Sequence, residues 1–283
     1  MKKLFSLFLC ALLLVGCAGT YNGPTMEKTV LCTAEEDFYG MDGVVTQRSR
    51  TEYAYDIYGN QTVVQEYNDD APYLKTVLRY DDAGNTIRQT QYDVSGWLPK
   101  RLSDGRYTYD SQGRRIRSTH LQEADTVITY DDTARTRTTT CGETVIVEYL
   151  DKNGWVLRTE SSFPGRQSIR EEYDRSPNGE MLGIRSYENG VLTSETVMTY
   201  DDQGRILTQT QIKNGVSALL FAWEYGENYE KRTDYNGYQF FIRYLPDGSM
   251  DTQEMYDENG RLHSRTTYHY TTIQVPVGKE DTP

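Results

Sequence analysis

The sequence predicts an all-β protein, an array of antiparallel β-hairpins forming one continuous twisted, curled sheet that makes a partial barrel or trough. Three observations carry the prediction. A turn of the form Tyr-Asp-x-x-Gly recurs along the chain, and its clearest copy is Tyr200-Asp-Asp-Gln-Gly-Arg-Ile-Leu-Thr-Gln-Thr210. Asp201 supplies a short acceptor for backbone N–H groups, and Gly204 stands where glycine or a positive φ is favoured. Beyond the turn, Ile206, Thr208, Thr210 and Ile212 alternate with Leu207, Gln209 and Gln211, the period of two that marks a strand. Helical periodicity is absent everywhere after residue 17, so essentially no α-helix is expected there.

Residues 1–16 read as an export signal and stand outside the fold. Lys2 and Lys3 form a basic start, and Leu4 to Val15 is an apolar stretch of twelve residues, short of the roughly 20 that a spanning helix needs. The stretch ends in Leu14-Val15-Gly16-Cys17, which resembles the bacterial lipoprotein cleavage box. The resemblance implies cleavage before Cys17, diacylglycerol on its sulfur and a further acyl chain on the new amino terminus, enough for stable anchoring. An ordinary secretory signal that ends near a cysteine is the alternative. Ala18 lacks the aspartate that would retain a lipoprotein at the inner membrane. An exported, lipid-anchored location in the cell envelope is therefore expected, on the outer membrane where there is one and otherwise on the outer face of the plasma membrane. Residues 17–46 hold the lipidated cysteine, a tether and a first strand near Val30-Leu31-Cys32. The repeat domain covers 47–272, and 273–283 form a tail.

Without residues 1–16, 267 of the 283 residues remain, enough for one sizeable repetitive domain. Loss of Lys2 and Lys3 leaves 28 basic side chains against 42 acidic ones, a net charge of −14. Such a surface excludes nucleic acid as a partner and disfavours lying flat on anionic lipid. The acids are spread through the turns, where they read as a solvated surface. Twenty-four tyrosines against seven phenylalanines suit strands with one wet and one dry face. Of four cysteines, Cys32 and Cys141 remain after export and lipidation, and they either pair or stay as two free thiols.

The main turns begin at Tyr55, Tyr80 and Tyr109, decay at Tyr130, and continue as Tyr149-Leu-Asp-Lys-Asn-Gly, Tyr173-Asp-Arg-Ser-Pro-Asn-Gly, Tyr200 and a poor copy at Tyr225; a further turn at Tyr244-Leu-Pro-Asp-Gly, outside the count, leads to the clean copy at Tyr256. From Tyr55 to Tyr256 is 201 residues in eight steps, a mean period of 25, the size of one supersecondary unit that needs neighbours. Between them lies a second set of turns, at Tyr67-Asn-Asp-Asp-Ala-Pro72, Tyr92-Asp-Val-Ser-Gly96, Phe163-Pro-Gly165, Tyr187-Glu-Asn-Gly190, Lys213-Asn-Gly215 and Asn236-Gly237. Two residues before the tyrosine come Leu78, Tyr107, Ile128, Val147, Met198 and Trp223, which define a buried face. Glu171 and Glu254 break that rule and are expected where the face is open to water or at an end.

The copies Tyr109-Asp-Ser-Gln-Gly-Arg-Arg-Ile, Tyr200-Asp-Asp-Gln-Gly-Arg-Ile-Leu-Thr and Tyr256-Asp-Glu-Asn-Gly-Arg-Leu resemble the YD repeat of RHS-type proteins, over roughly Tyr53 to Tyr270. The resemblance implies a spiralling antiparallel sheet, which in large members is a shell around a C-terminal toxin. About nine repeats are few for a closed shell, and Thr271 to Pro283 is too short for an effector domain, so that role is not carried over.

Catalytic constellations are not evident. His263 and His269 share a strand face, yet no zinc-type spacing accompanies them. The pairs Asp81-Asp82, Asp131-Asp132 and Asp201-Asp202 lack the rest of a calcium loop, and their first members read as turn caps. No metal and no cofactor is expected. Trp97 and Trp155 follow turn glycines Gly96 and Gly154 and are the candidates for ligand stacking, whereas Trp223 reads as core. The expectation is a non-enzymatic, lipid-anchored envelope protein with a protein- or glycan-binding surface. The alternatives are a surface hydrolase using paired carboxylates in the trough and a structural companion of larger RHS proteins. Nothing in the sequence fixes the oligomeric state.

Overall fold

The computed structural model describes residues 25–121 and 123–277. All of its regular structure is β, in twenty strands. The first six are β1 (Thr25–Tyr39), β2 (Val45–Tyr55), β3 (Gln61–Asn68), β4 (Ala71–Tyr80), β5 (Thr86–Asp93) and β6 (Lys100–Tyr109). Then come β7 (Arg115–Thr119), β8 (Thr126–Asp131), β9 (Thr136–Cys141), β10 (Thr144–Leu150), β11 (Val156–Ser162), β12 (Ile169–Arg175) and β13 (Met181–Glu188). The last seven are β14 (Val191–Tyr200), β15 (Ile206–Lys213), β16 (Val216–Tyr225), β17 (Tyr229–Asp234), β18 (Gln239–Tyr244), β19 (Met250–Tyr256) and β20 (Leu262–Pro276). Two compact units divide the chain. One holds the described residues of Met1–Arg106, Ser249–Glu254 and Leu262–Pro283, and the other Tyr107–Gly248 and Met255–Arg261.

The strands belong to one antiparallel sheet. Its first strand pairs with its last: thirteen residues of β1, from Thr25 to Phe38, are registered against Pro276 to Ser264 of β20. The expected partial barrel or trough is therefore corrected to a closed sheet, with the connectivity of a barrel. The physical reason is that a lone edge strand leaves a row of unpaired N–H and C=O groups, and closure removes that row.

The main turns share one geometry. The Asp201 N–H donates to the Arg205 carbonyl at 2.9 Å and the Gly204 N–H to the Asp201 carbonyl at 3.0 Å. Asp201 Oδ1 accepts from the backbone N–H groups of Gln203 and Arg205, both at 2.9 Å. Gly204 has φ +77°, so a type I turn runs into a glycine bulge. The same pair of backbone bonds closes turns that start at Gly40, Asp56, Asp81, Asp110, Asp151, Ser176, Asp234 and Asp257. Two positions in this set revise the expected register. At Tyr149 the turn starts two residues later, at Asp151, so Leu150 takes the tyrosine's place. At Tyr173 it starts at Ser176, and Arg175 does. Val147 consequently shares a face with Tyr149, away from Leu150, and does not belong to the row predicted for it. Asn236-Gly237, read as a second-set turn, is also of this main type. True two-residue hairpin turns occur at Asp69-Asp70, Asn189-Gly190 and Asn214-Gly215, where both residues have positive φ.

The tyrosine before the turn has a definite task. In the hairpin β15–β16 the last registered pair is Thr208 with Ala222, so the ladder stops short of the hairpin's open end. There the Tyr225 hydroxyl donates to the Ile206 carbonyl at 2.9 Å. Tyr200 does the same to Met181 at 2.6 Å, Tyr80 to Gln61 at 2.6 Å and Tyr130 to Arg115 at 3.1 Å, and Tyr270, within β20 and before no turn, makes the like bond to Met250 at 2.9 Å. In the odd copy, Arg175 Nε donates to the Val156 carbonyl at 3.2 Å, 19 residues back, the same separation as for Tyr200 and Met181. Burial pushes the hydroxyls of Tyr80, Tyr200 and Tyr225 above the usual tyrosine range, which keeps them protonated donors.

Deep burial is scarce. Among the described residues the buried apolar side chains are Val30, Tyr67 and Val275. Glu254 is 5% exposed and bonded to Arg265 at 2.8 Å, so the water-exposed or terminal setting expected for it is corrected. The reason is charge pairing on a crowded face, which lets a carboxylate occupy a covered position.

Two consequences can be measured by urea denaturation. Tyr200→Phe removes a hydroxyl-to-carbonyl bond at a splayed hairpin base and should cost about 1 kcal/mol. Arg175→Tyr should stay near the parent's stability because the phenol restores the majority bond, while Arg175→Ala should fall below both. Equal stabilities for the tyrosine and alanine variants would contradict this role.

Candidate functional site

The acids predicted to cap turns do so, and that engages many of the chain's carboxylates. Several turn aspartates, Asp81, Asp110, Asp201 and Asp257 among them, lie below the usual carboxylate range. For Asp81 the first cause is the Asn85 amide, for Asp110 the Arg114 guanidinium, and for Asp201 and Asp257 the backbone N–H groups of Arg205 and Arg261. The more covered acids are paired instead. Asp104 accepts from Arg88 at 2.6 and 2.7 Å and from Thr90 at 3.3 Å. Glu52 pairs with Arg50 and accepts the Tyr67 hydroxyl at 2.8 Å.

That last arrangement recurs, and it was missed in the sequence. The Arg50 guanidinium lies 4.1 Å from the Tyr67 ring centre. Arg158 lies 3.8 Å over Tyr149, whose hydroxyl donates to Glu160 at 3.1 Å. Arg170 lies 4.2 Å over Tyr187, whose hydroxyl donates to Glu172 at 3.2 Å. In each case Arg and Glu stand two apart on one strand and the tyrosine comes from its neighbour. The visible signal was Arg-x-Glu in a strand, at Arg50, Arg158 and Arg170. Such rows stabilise cross-strand pairing.

Other candidates are placed as follows. Cys17 lies outside the described residues. Cys32 and Cys141 are free thiols, bonded to the carbonyls of His269 at 3.2 Å and Ala124 at 3.6 Å. His263 and His269 are exposed, and His269 Nε2 is 4.0 Å from Glu35. Among the described residues no group of three or more His, Cys, Asp or Glu side chains is arranged to hold a metal. Trp97 and Trp155 belong to different units. Trp155 is half-buried against Gly179, where an added Cβ would come within 2.3 Å of its ring. Trp97 is 92% exposed in the loop between β5 and β6.

Trp97 belongs to a wider feature of the first unit. There β1 starts at the end of the strands that carries the Asp56 and Asp81 turns, and Lys28 Nζ reaches the Gly59 carbonyl at 3.4 Å. The opposite end carries three bends: 40–44, 69–70 and 94–99. The Asp69 N–H donates to the Arg48 carbonyl at 2.9 Å, joining the second bend to β2. The Val94 N–H donates to the Tyr73 carbonyl at 3.0 Å, joining the third to β4. These bends expose Met41 at 90%, Leu98 at 65% and Val44 at 60%, besides Trp97.

No family model and no curated protein matches the chain. Solved structures do show likenesses. A porin-like protein from Bacteroides uniformis aligns over 88% of this chain and 99% of its own, at 9% identity and a TM-score of 0.41. Another from Bacteroides vulgatus aligns over 64% and 96%, at 13% identity and 0.33. The complex TcdB2-TccC3-Cdc42 aligns over 84% of this chain and 17% of its own, at 11% identity and 0.23. Scores this low carry no argument about family or activity.

Two predictions concern the turns. Gly154 and Gly179 both have positive φ, but only Gly179 faces a ring, while the space beside Gly154 is open. Gly179→Ala should therefore cost at least about 1 kcal/mol more than Gly154→Ala by urea midpoint, since overpacking adds to backbone strain. The turn aspartates also set an acid response. Their folded-state values are depressed, so their contribution is complete above the unfolded value of about 3.9 and is lost as pH falls through the folded values. The urea midpoint should hold steady above about pH 5 and drop below about pH 4. A flat profile across that window would count against the turn caps.

Proposed function

We propose that the chain is a lipid-anchored envelope protein without catalytic activity, whose YD-like hairpin array presents a contact surface for protein or glycan at the hairpin bends farthest from its anchor. The observation that carries the reading is the polarity of the first unit. Its amino-terminal strand starts at the end of the Asp56 and Asp81 turns, and its exposed apolar bends lie at the other. Cys17 precedes Thr25 by eight residues, a reach of at most about 28 Å when fully extended. The ten residues of β4 alone rise about 33 Å. A bilayer holding Cys17 would then meet the turn end, and Trp97 would point away from it.

The non-catalytic part of the reading is supported by the carboxylates. Those on turns are capped by N–H groups, and Glu52, Asp104 and Glu254 are matched by arginines. The repeated Asp-x-x-Gly turn, with its laced tyrosine, supports the kinship with YD repeats. The deciding experiment is fractionation of cells that express the full chain. The parent should partition with membranes and carry acyl chains by mass spectrometry, and Cys17→Ser should appear in the soluble fraction. A Cys17→Ser protein that remains membrane-bound would remove the anchor from this account.

A further inference from the structure

We propose that four arginines on β4, β5 and β6 form a binding site for a compact polyanion, a ligand bearing phosphate or sulfate groups on a small molecule or a lipid head group. The inference goes beyond the functional reading above and does not depend on it.

The starting observation is a row in which like charges face each other. Arg79 of β4 is registered with Arg88 of β5, and Arg88 in turn with Arg106 of β6. Cross-strand partners share a sheet face, so the three guanidinium groups stand on one side, their backbones spread over about 10 Å. Like charges set directly opposite are destabilising. Elsewhere the chain sets acid against arginine: Arg48 faces Asp37, Arg50 faces Glu35, Arg137 faces Glu148 and Arg170 faces Glu160. The Arg-x-Glu alternation lapses here as well. Thr90 stands two places after Arg88, where Arg50, Arg158 and Arg170 are each followed by an acid.

A single carboxylate lies within the group. Asp104 is buried, and Arg88 takes both its oxygens, at 2.6 and 2.7 Å. That leaves it only longer contacts, to Arg101 at 3.3 Å and to Arg106 at 3.9 Å. Arg79 is exposed and, among the described residues, is bonded to no carboxylate, and the Arg106 side chain is 67% exposed. Glu66 and Asp93, both registered with Leu74, belong to the other face. Asp81 is tied into its own turn by Asn85. Four guanidinium groups thus stand against one carboxylate, in a chain whose net charge is −12.

The size of the group selects the ligand. Guanidinium forks match the oxygens of phosphate and sulfate two at a time. Their attraction fades over about 8 Å at physiological salt, beyond which the acidic turns prevail. Charge concentrated within the row is therefore favoured over a long polyanion such as nucleic acid. Two or more linked oxyanions would engage Arg79 and Arg106 together and relieve the repulsion between neighbours.

The test is calorimetric titration of inorganic tripolyphosphate into the full chain in neutral detergent micelles. One equivalent should bind. Arg79→Gln and Arg106→Gln should each weaken binding at least about tenfold, the loss of one charge-assisted contact. Arg48→Gln, which removes an exposed arginine already paired with Asp37, should leave affinity within about twofold. Stability separates a binding role from a structural one. Without ligand, relief of repulsion should leave the urea midpoint of Arg79→Gln at or above the parent's, and tripolyphosphate should raise the parent's midpoint more than the variant's. Phosphatidylglycerol added to the micelles reads the source: competition at the same arginines assigns a lipid head group, and its lack assigns a soluble ligand. The proposal is overturned if tripolyphosphate does not bind, or if Arg48→Gln weakens binding as much as Arg79→Gln. A ligand-free midpoint lowered by Arg79→Gln would equally overturn it, because the row would then be structural.

Discussion

A phenol hydroxyl given to a backbone carbonyl is the contact on which the rest of this architecture depends. Each hairpin of the β3–β4 type stops making ladder bonds before its open end, and an unpaired carbonyl there would otherwise need water. Tyrosine is long enough to cross the splayed gap, apolar enough to lie along the sheet, and keeps one polar atom at its tip. The capped turn that follows then hands the chain to the next hairpin in a fixed register. Arg175 makes the point by exception: a different side chain supplies the donor at the same place and the geometry survives.

The sheet is also held together without a dry, layered interior. Few side chains are fully covered, and several that are covered carry charge. Rows of arginine, tyrosine and carboxylate on neighbouring strands supply lateral cohesion in the places where a sandwich would stack valines. Exposed ion pairs contribute little singly, so the stacking of guanidinium on ring and the shared carboxylate matter more than the count of charges. An acid placed in such a row is occupied with structure.

Much of this was legible from residue spacing. The Asp-to-Gly interval of three located the turns, and Asn-Gly located two of the narrow hairpins. The tyrosine itself was the less faithful guide. At Tyr149 and Tyr173 it sits ahead of the turn that Asp151 and Ser176 initiate, so reading from the ring misplaced the face of Val147. Closure was invisible because β1 and β20 are distant in sequence, and no local pattern names a partner that far away. The arginine–tyrosine–glutamate rows were hidden for a related reason, since two members are adjacent in the chain and the third is known only once strand neighbours are. Exposure of Trp97 was expected from its turn.

The pairing of the first strand with the last has a mechanical side. Tension entering from the amino-terminal end would run along the axis of β1, which is bonded to β20 over thirteen residues and to β2 from Thr33 onward. Loaded in that direction the bonds are sheared together and cannot be peeled open one by one. A molecule held by its leading end would thus bear drag through its longest ladder.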